Sequence, residues 1–75
     1  MTYEIITVEN GDVLYRTADR EEAVRGLIGY VEQHRVSRPG VESEVALIEF
    51  GDDDSRQNGP VMYEQLAPSR EAVYH

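Results

Sequence analysis

Apolar and β-branched residues crowd the start of the chain in two runs: Tyr3, Ile5, Ile6, Thr7 and Val8, then Val13-Leu14-Tyr15. Asn10-Gly11 lies between them. A type I′ turn needs positive φ at both central residues, which Asn-Gly tolerates best, so the pattern predicts a β-hairpin. A two-residue turn there sets Val8 opposite Val13 and Ile6 opposite Tyr15 on one face. Thr7 then meets Leu14, and Ile5 meets Arg16, on the other.

The period then changes. Val24, Leu27, Ile28 and Val31 recur at the i, i+3, i+4, i+7 spacing of a buried helical stripe. Asp19-Arg20-Glu21-Glu22 reads as a capping box at its start, with Thr17 as an alternative cap. The acidic first turn and the cations Arg35 and Arg38 near the end both suit the helix dipole, and Pro39-Gly40 stops the segment.

Residues 44–50, with Val45, Ala46, Leu47, Ile48 and Phe50, read as a third strand, and residues 51–60 as a polar loop. Val61 to Leu66 has two readings. Val61-Met62-Tyr63 suits a fourth strand beside the third. Pro60 at a first turn, with Met62 and Leu66 four apart, suits a short helix. After Pro68 the chain reads as a last helical turn or a loose tail over 68–75. The sum is a single α+β domain of order ββαβ(β), one helix packed on one face of a small, mostly antiparallel sheet. The expected core is Ile6, Val8, Val13, Tyr15, Val24, Leu27, Ile28, Val31, Ala46, Ile48 and Phe50.

Composition narrows the chemistry. Seventy-five residues allow one small core. Cysteine is absent, which excludes disulfides and thiolate metal sites. Fifteen acids face seven cations, all arginine, for a formal charge of −8. Such a surface repels phosphate backbones, so direct nucleic-acid binding is not expected. No apolar run is long enough to span a membrane, and Met1-Thr2-Tyr3-Glu4 lacks the basic start and apolar stretch of a signal peptide. The expected location is cytoplasmic. Solubility, adaptation to high salt and a basic partner all account for the acidity.

Candidate chemistry is thin. Asp52, Asp53 and Asp54 invite a calcium reading, but Arg56 stands fifth and Tyr63 twelfth, where an EF-hand needs oxygen ligands. His34 and His75 are the only histidines, one near the helix end and one at the last position. No serine sits in a nucleophile elbow, and Gly26 and Gly29 form neither a phosphate-binding loop nor a dinucleotide fingerprint. The residues therefore predict no enzyme, no metal and no cofactor.

Two surfaces stand out instead. With the register above, Tyr3, Ile5, Leu14, Val45 and Leu47 share the sheet face away from the helix, an apolar patch that a second copy, another partner, or the segment carrying Met62, Tyr63, Leu66, Val73 and Tyr74 must cover. Gly26 and Gly29 fall on the helix's outer face, near Glu22 and Gln33, where each costs about 1 kcal/mol against alanine. The acids Glu21, Glu22, Glu32, Asp52, Asp53 and Asp54 offer an electrostatic surface. The expected function is a small, acidic, non-enzymatic protein-binding module, a homodimer through the open sheet face. In its concrete form it is an inhibitor or antagonist docking on a basic site. The alternative is an accessory or small-ligand-binding domain, its ligand held between the sheet and the C-terminal segment.

Overall fold

The computed structural model describes residues 1–53, 55–57 and 59–66. Strands β1 (Thr2–Thr7) and β2 (Val13–Thr17) precede helix α1 (Arg20–His34). A 3₁₀ turn (Val41–Ser43), strand β3 (Val45–Phe50) and a one-turn helix α2 (Tyr63–Leu66) follow. The sheet is antiparallel throughout, in the order β2-β1-β3, with α1 across one face. This is the small α+β fold that the hydrophobic pattern predicts.

The hairpin forms where Asn10-Gly11 places it, but its loop is longer. The Thr7 carbonyl accepts from the Gly11 N–H at 2.7 Å, while the Thr7 N–H donates to the Asp12 carbonyl at 2.9 Å. The Asp12 N–H donates to Thr7 Oγ1 at 3.1 Å. Four residues, Val8 to Gly11, therefore turn the chain, with Gly11 at φ 73°. Beyond the loop Ile6 pairs with Val13 and Ile5 with Tyr15, so Leu14 is an extra residue, a β-bulge. The register expected from a two-residue turn is thus corrected. Tyr15 faces Ile5 and Arg16 faces Glu4, one step from the predicted partners.

A one-residue slip exchanges the faces of a strand. Tyr3, Ile5, Val45 and Leu47, predicted to lie on the open face, are instead buried beneath α1 in the main core. Ala46 and Ile48 are also buried, but by alternation they occupy the opposite face. Of the other strand positions expected inside, Val8, Val13 and Tyr15 are exposed, and Ile6 and Phe50 are half-buried. No patch at Tyr3, Ile5, Val45 and Leu47 is left for a partner, and the ground for a dimer through that face goes with it.

Helix α1 follows its sequence signals more closely. Asp19 caps it, accepting from the Glu21 N–H at 3.0 Å, and Thr17 Oγ1 accepts from the Asp19 N–H at 3.1 Å. Glu22 does not close the capping box seen in its sequence; its carboxylate takes the Tyr15 hydroxyl instead. Ala23, Leu27 and Val31 are fully buried, with Val24 and Ile28 half-buried at the sides. Burying a leucine such as Leu27 contributes about 1.5–3 kcal/mol. The stripe is rotated toward Ala23 relative to the one read from the bulky residues alone.

Residues 61–66 follow the helix reading from Tyr63 on, and the expected fourth strand reduces to an isolated bridge at Val61. Val61 and Leu47 exchange two backbone hydrogen bonds of 2.9 Å, a single rung of sheet, and Tyr63 then opens α2. Tyr63 is buried against α1, with the Arg35 guanidinium 5.2 Å from its ring centre. Arg56 also bridges to Phe50, and the Gln57 N–H donates to the Glu49 carbonyl at 3.0 Å. The outer edge of β3 is therefore occupied, whereas among the described residues β2 pairs only with β1. Among the described residues no helix is long and apolar enough to cross a membrane.

Candidate functional site

A helix is about 10 Å across and strands lie about 4.8 Å apart, so one helix covers roughly two strands. Here α1 packs on the β1 and β3 core residues and also approaches β2, whose own side chains nonetheless stay largely exposed. Val13, Leu14 and Tyr15 are 49, 43 and 42 % exposed. The uncovered strip is a groove of about 550 Å³ between α1 and the β2 edge. Leu14, Tyr15 and Ile5 line it from the sheet, and Glu22, Arg25, Gly26, Gly29, Tyr30 and Gln33 line it from the helix.

Each helix residue in that wall follows from spacing. Positions 22, 25, 26, 29, 30 and 33 are one stripe of an α-helix. The stripe carries no bulky aliphatic side chain, which leaves a channel instead of a second packed seam. The two glycines differ. A Cβ at Gly26 would stand 3.1 Å from Ile5 Cδ1 and 3.8 Å from Tyr15 Cδ2. Gly26 thus lets strand side chains tuck under the helix, a core requirement that the helical wheel alone does not reveal. A Cβ at Gly29 would meet nothing within 4 Å among the described residues. Gly29 keeps the groove open and, among those residues, has no packing reason to be glycine.

The polar rim is unevenly satisfied. The Glu22 carboxylate takes the Tyr15 hydroxyl. Arg25 has no hydrogen bond or ion pair among the described residues, unlike Arg16, Arg35 and Arg38, which pair with Glu4, Tyr63 and Glu44. Of the residues proposed from sequence for the sheet-face site, only Leu14 reaches this surface as an exposed side chain; Ile5 contributes to its floor while remaining buried. Arg25, Tyr15 and Tyr30 were not among the sequence candidates. The stripe spacing was the available signal for Arg25 and Tyr30, and the bulge hid Tyr15.

The acidic candidates do not gather at one point. Glu21 and Glu22 open α1 at the end of the sheet where β1 begins, and the residue 52–53 turn leaves β3 at that same end. Glu32 lies two to three turns further along the helix and accepts from the Tyr63 hydroxyl at 3.4 Å. Asp52 pairs with the Met1 ammonium at 2.9 Å. Asp53 Oδ1 accepts from Ser55 Oγ at 2.6 Å and from the Ser55 N–H at 3.2 Å, and these bonds hold its carboxyl below the ordinary carboxylate range. Asp54 lies outside the described residues, as do Val73, Tyr74, His75 and the tail proposed over 68–75. His34 is half-buried, its ring centre 4.4 Å from that of Tyr30. Among the described residues no group of three His, Asp or Glu side chains is placed to hold a metal ion.

No family model matches this chain, and no solved structure matches it. The chain is 34 % identical over 56 residues to an AAA-ATPase of Arabidopsis thaliana. That stretch is 75 % of this chain but 11 % of the relative. The chain thus spans a small part of the curated relative it matches. It has no lysine and no phosphate-binding glycine loop of the P-loop kind, so the likeness brings no nucleotide-binding motif with it.

Proposed function

We propose that this chain is a small, acidic protein-binding module without catalytic chemistry of its own, and that the α1–β2 groove is where it docks. The observation that carries the reading is the groove itself. Among the described residues an apolar channel runs beside an unpaired strand edge, and at its side stands a glycine that costs helix stability and that no contact with those residues explains. A residue that lowers stability without serving the core is what a recognition surface retains. The formal charge of −8 steers the module toward partners with basic surfaces, by acting on the rate of encounter more than on the closed contact. Antagonism of a basic site is the concrete form of this proposal.

The test is a paired capture with the wild-type chain and Gly29→Glu as baits. A protein held by the wild type and released by the variant, with both baits equally folded by circular dichroism, fits the proposal. Captured sets that do not differ between the two baits would remove the groove from it.

The partial match to an AAA-ATPase favours a second reading, an accessory domain that works alongside a larger machine and leaves nucleotide chemistry to other parts. On that reading ATP with magnesium produces no thermal shift of the isolated chain. A saturable shift would point instead to the ligand-binding alternative.

A further inference from the structure

We propose that the groove and the β2 edge together take a short extended segment of a partner protein, added as a fourth strand beside β2. The proposal rests on the groove being a docking site and names what fills it. The backbone supplies the first argument. The Thr7 N–H bonds toward β2, to the Asp12 carbonyl. Backbone direction alternates along a strand, so Ile5 and Tyr3 also point to β2, and their partners Tyr15 and Thr17 point back. Arg16, between those two, and Val13, next to Asp12, then direct their N–H and C=O groups outward, where no described strand pairs with them.

Size is the second argument. The helix positions lining the groove run from 22 to 33, about 16 Å at 1.5 Å per residue. An extended chain rises about 3.3 Å per residue, so roughly five residues fill that length. Strand β2 itself has five, Val13–Thr17. Alternate side chains of the added strand enter the groove, past Leu14 and Tyr15 and toward the bare side of Gly29. They are apolar, to match that lining.

Charge is the third. Asp12 stands just before β2, and Asp19 and Glu22 follow it, so both ends of the edge are acidic. The matching segment carries Lys or Arg at its two ends and apolar residues at alternate positions between them. Arg25, the one cation among the described residues lining the groove, is left to donate to carbonyl groups on the segment's outer side. A second copy is a poor occupant, because it brings another −8 and its own β2 is flanked by acids. The Leu14 bulge interrupts the regular edge, which blunts open-ended pairing of sheet to sheet and leaves room for one short strand.

The experiment titrates acetyl-Lys-Val-Thr-Val-Lys-amide into the nitrogen-15-labelled chain and into Gly29→Glu, with circular dichroism melts of both. Two further peptides are N-methylated, one at both valines and one at the threonine, so that only one of them blocks the hydrogen bonds facing β2. The expected result is saturable movement of the Val13 and Arg16 amide signals, with slower hydrogen exchange at both. Affinity falls with added salt, and by about tenfold or more in Gly29→Glu and in one of the two N-methylated peptides. No binding up to the peptide's solubility limit overturns the proposal. So do equal affinities of the two N-methylated forms. A captured protein that is lost by Gly29→Glu, yet leaves the Val13 and Arg16 amides unmoved, would keep the docking groove and remove strand addition.

Discussion

Gly26 and Ile5 meet across the seam between α1 and β1, where a Cβ at position 26 would stand 3.1 Å from Ile5 Cδ1. Three residues later, a Cβ at Gly29 would meet no described residue. Alanine gains about 1 kcal/mol of helix propensity over glycine at either position. At Gly29 that gain is realised in full. At Gly26 it is offset by the shift forced on Ile5, a side chain packed in the core. Gly29→Ala is therefore expected to raise the thermal midpoint by several degrees, about 4–8 °C per kcal/mol in a domain of this size, and Gly26→Ala to leave it level or lower it. Parallel melts check this, and equal gains at both sites would refute the close approach.

Gly11 closes the hairpin loop at φ 73°, a conformation that β-branched side chains resist. Gly11→Val is expected to cost about 1–3 kcal/mol, the usual range for a strained backbone position. Gly11→Asn should cost much less, since asparagine tolerates the left-handed region. Denaturant titrations of the two variants separate backbone strain from simple loss of glycine. Equal stability of both would show that positive φ at this position does not matter.

The fold class was legible because period and punctuation agreed: a hairpin signal, a helical stripe and a strand in order. The faces were not. In β1, Tyr3 and Ile5 lie on one parity and Ile6 and Val8 on the other, so alternation alone is a tie. In β3, Val45 and Leu47 compete with Ala46, Ile48 and Phe50 in the same way. The tie rested on the length of one turn, and the Gly11 to Thr7 hydrogen bond with the Leu14 bulge moved the register by one. Glu4, on the parity of Ile6, was the one counter-signal. The groove was illegible for the same reason, since it exists only where a bulged edge strand meets a stripe of helix lacking bulky aliphatics.

Glu4 is itself testable. It is a buried carboxylate, its side chain 11 % exposed, and Arg16 Nε donates to it at 2.8 Å from the neighbouring strand. Arg16 is 65 % exposed, so by itself it would matter little. Its loss leaves an acid without its partner, and a hydrogen bond to a charged group is worth about 1.5–3 kcal/mol. Arg16→Ala is expected to destabilise toward that range, and Glu4→Gln to recover part of the loss in the double variant. A double-mutant cycle measures the coupling. A coupling near zero would mean that the pair contributes nothing to stability.

Asp53 sets a pH expectation. The Ser55 hydroxyl bond and then the Ser55 backbone bond favour its ionised form, so its folded pKa lies below the unfolded value. A depressed carboxyl contributes stability that is present above the unfolded pKa and lost as pH falls through the folded one. The residue is exposed, so the effect belongs to the loop and not to global unfolding. Carbon-detected NMR titration should show Asp53 titrating below the ordinary carboxylate range, and Ser55→Ala should bring it back toward that range. An unchanged Asp53 midpoint in Ser55→Ala would show that these bonds are not formed in solution.

Salt separates the roles of the acidity. Eight uncompensated negative charges on a chain of this size repel one another, and the repulsion weakens as the screening length falls to ~8 Å at physiological ionic strength. The folded chain alone is therefore expected to gain thermal stability from added monovalent salt. Neutralising Glu21, Asp52 and Asp53 together, to Gln, Asn and Asn, should flatten that gain. The Asp52 pair with the Met1 ammonium is exposed on both sides, so its loss subtracts little. A basic partner responds in the opposite direction. Its association rate should fall with salt and with the same three substitutions, because long-range steering acts on encounter. Its dissociation rate should barely move, since these acids lie outside the groove. Melts and stopped-flow association over one salt series therefore give opposite slopes if the charge recruits a partner. A partner whose association ignores salt and all three substitutions would show that the charge serves the chain's own solubility, and binding would rest on the α1–β2 groove alone.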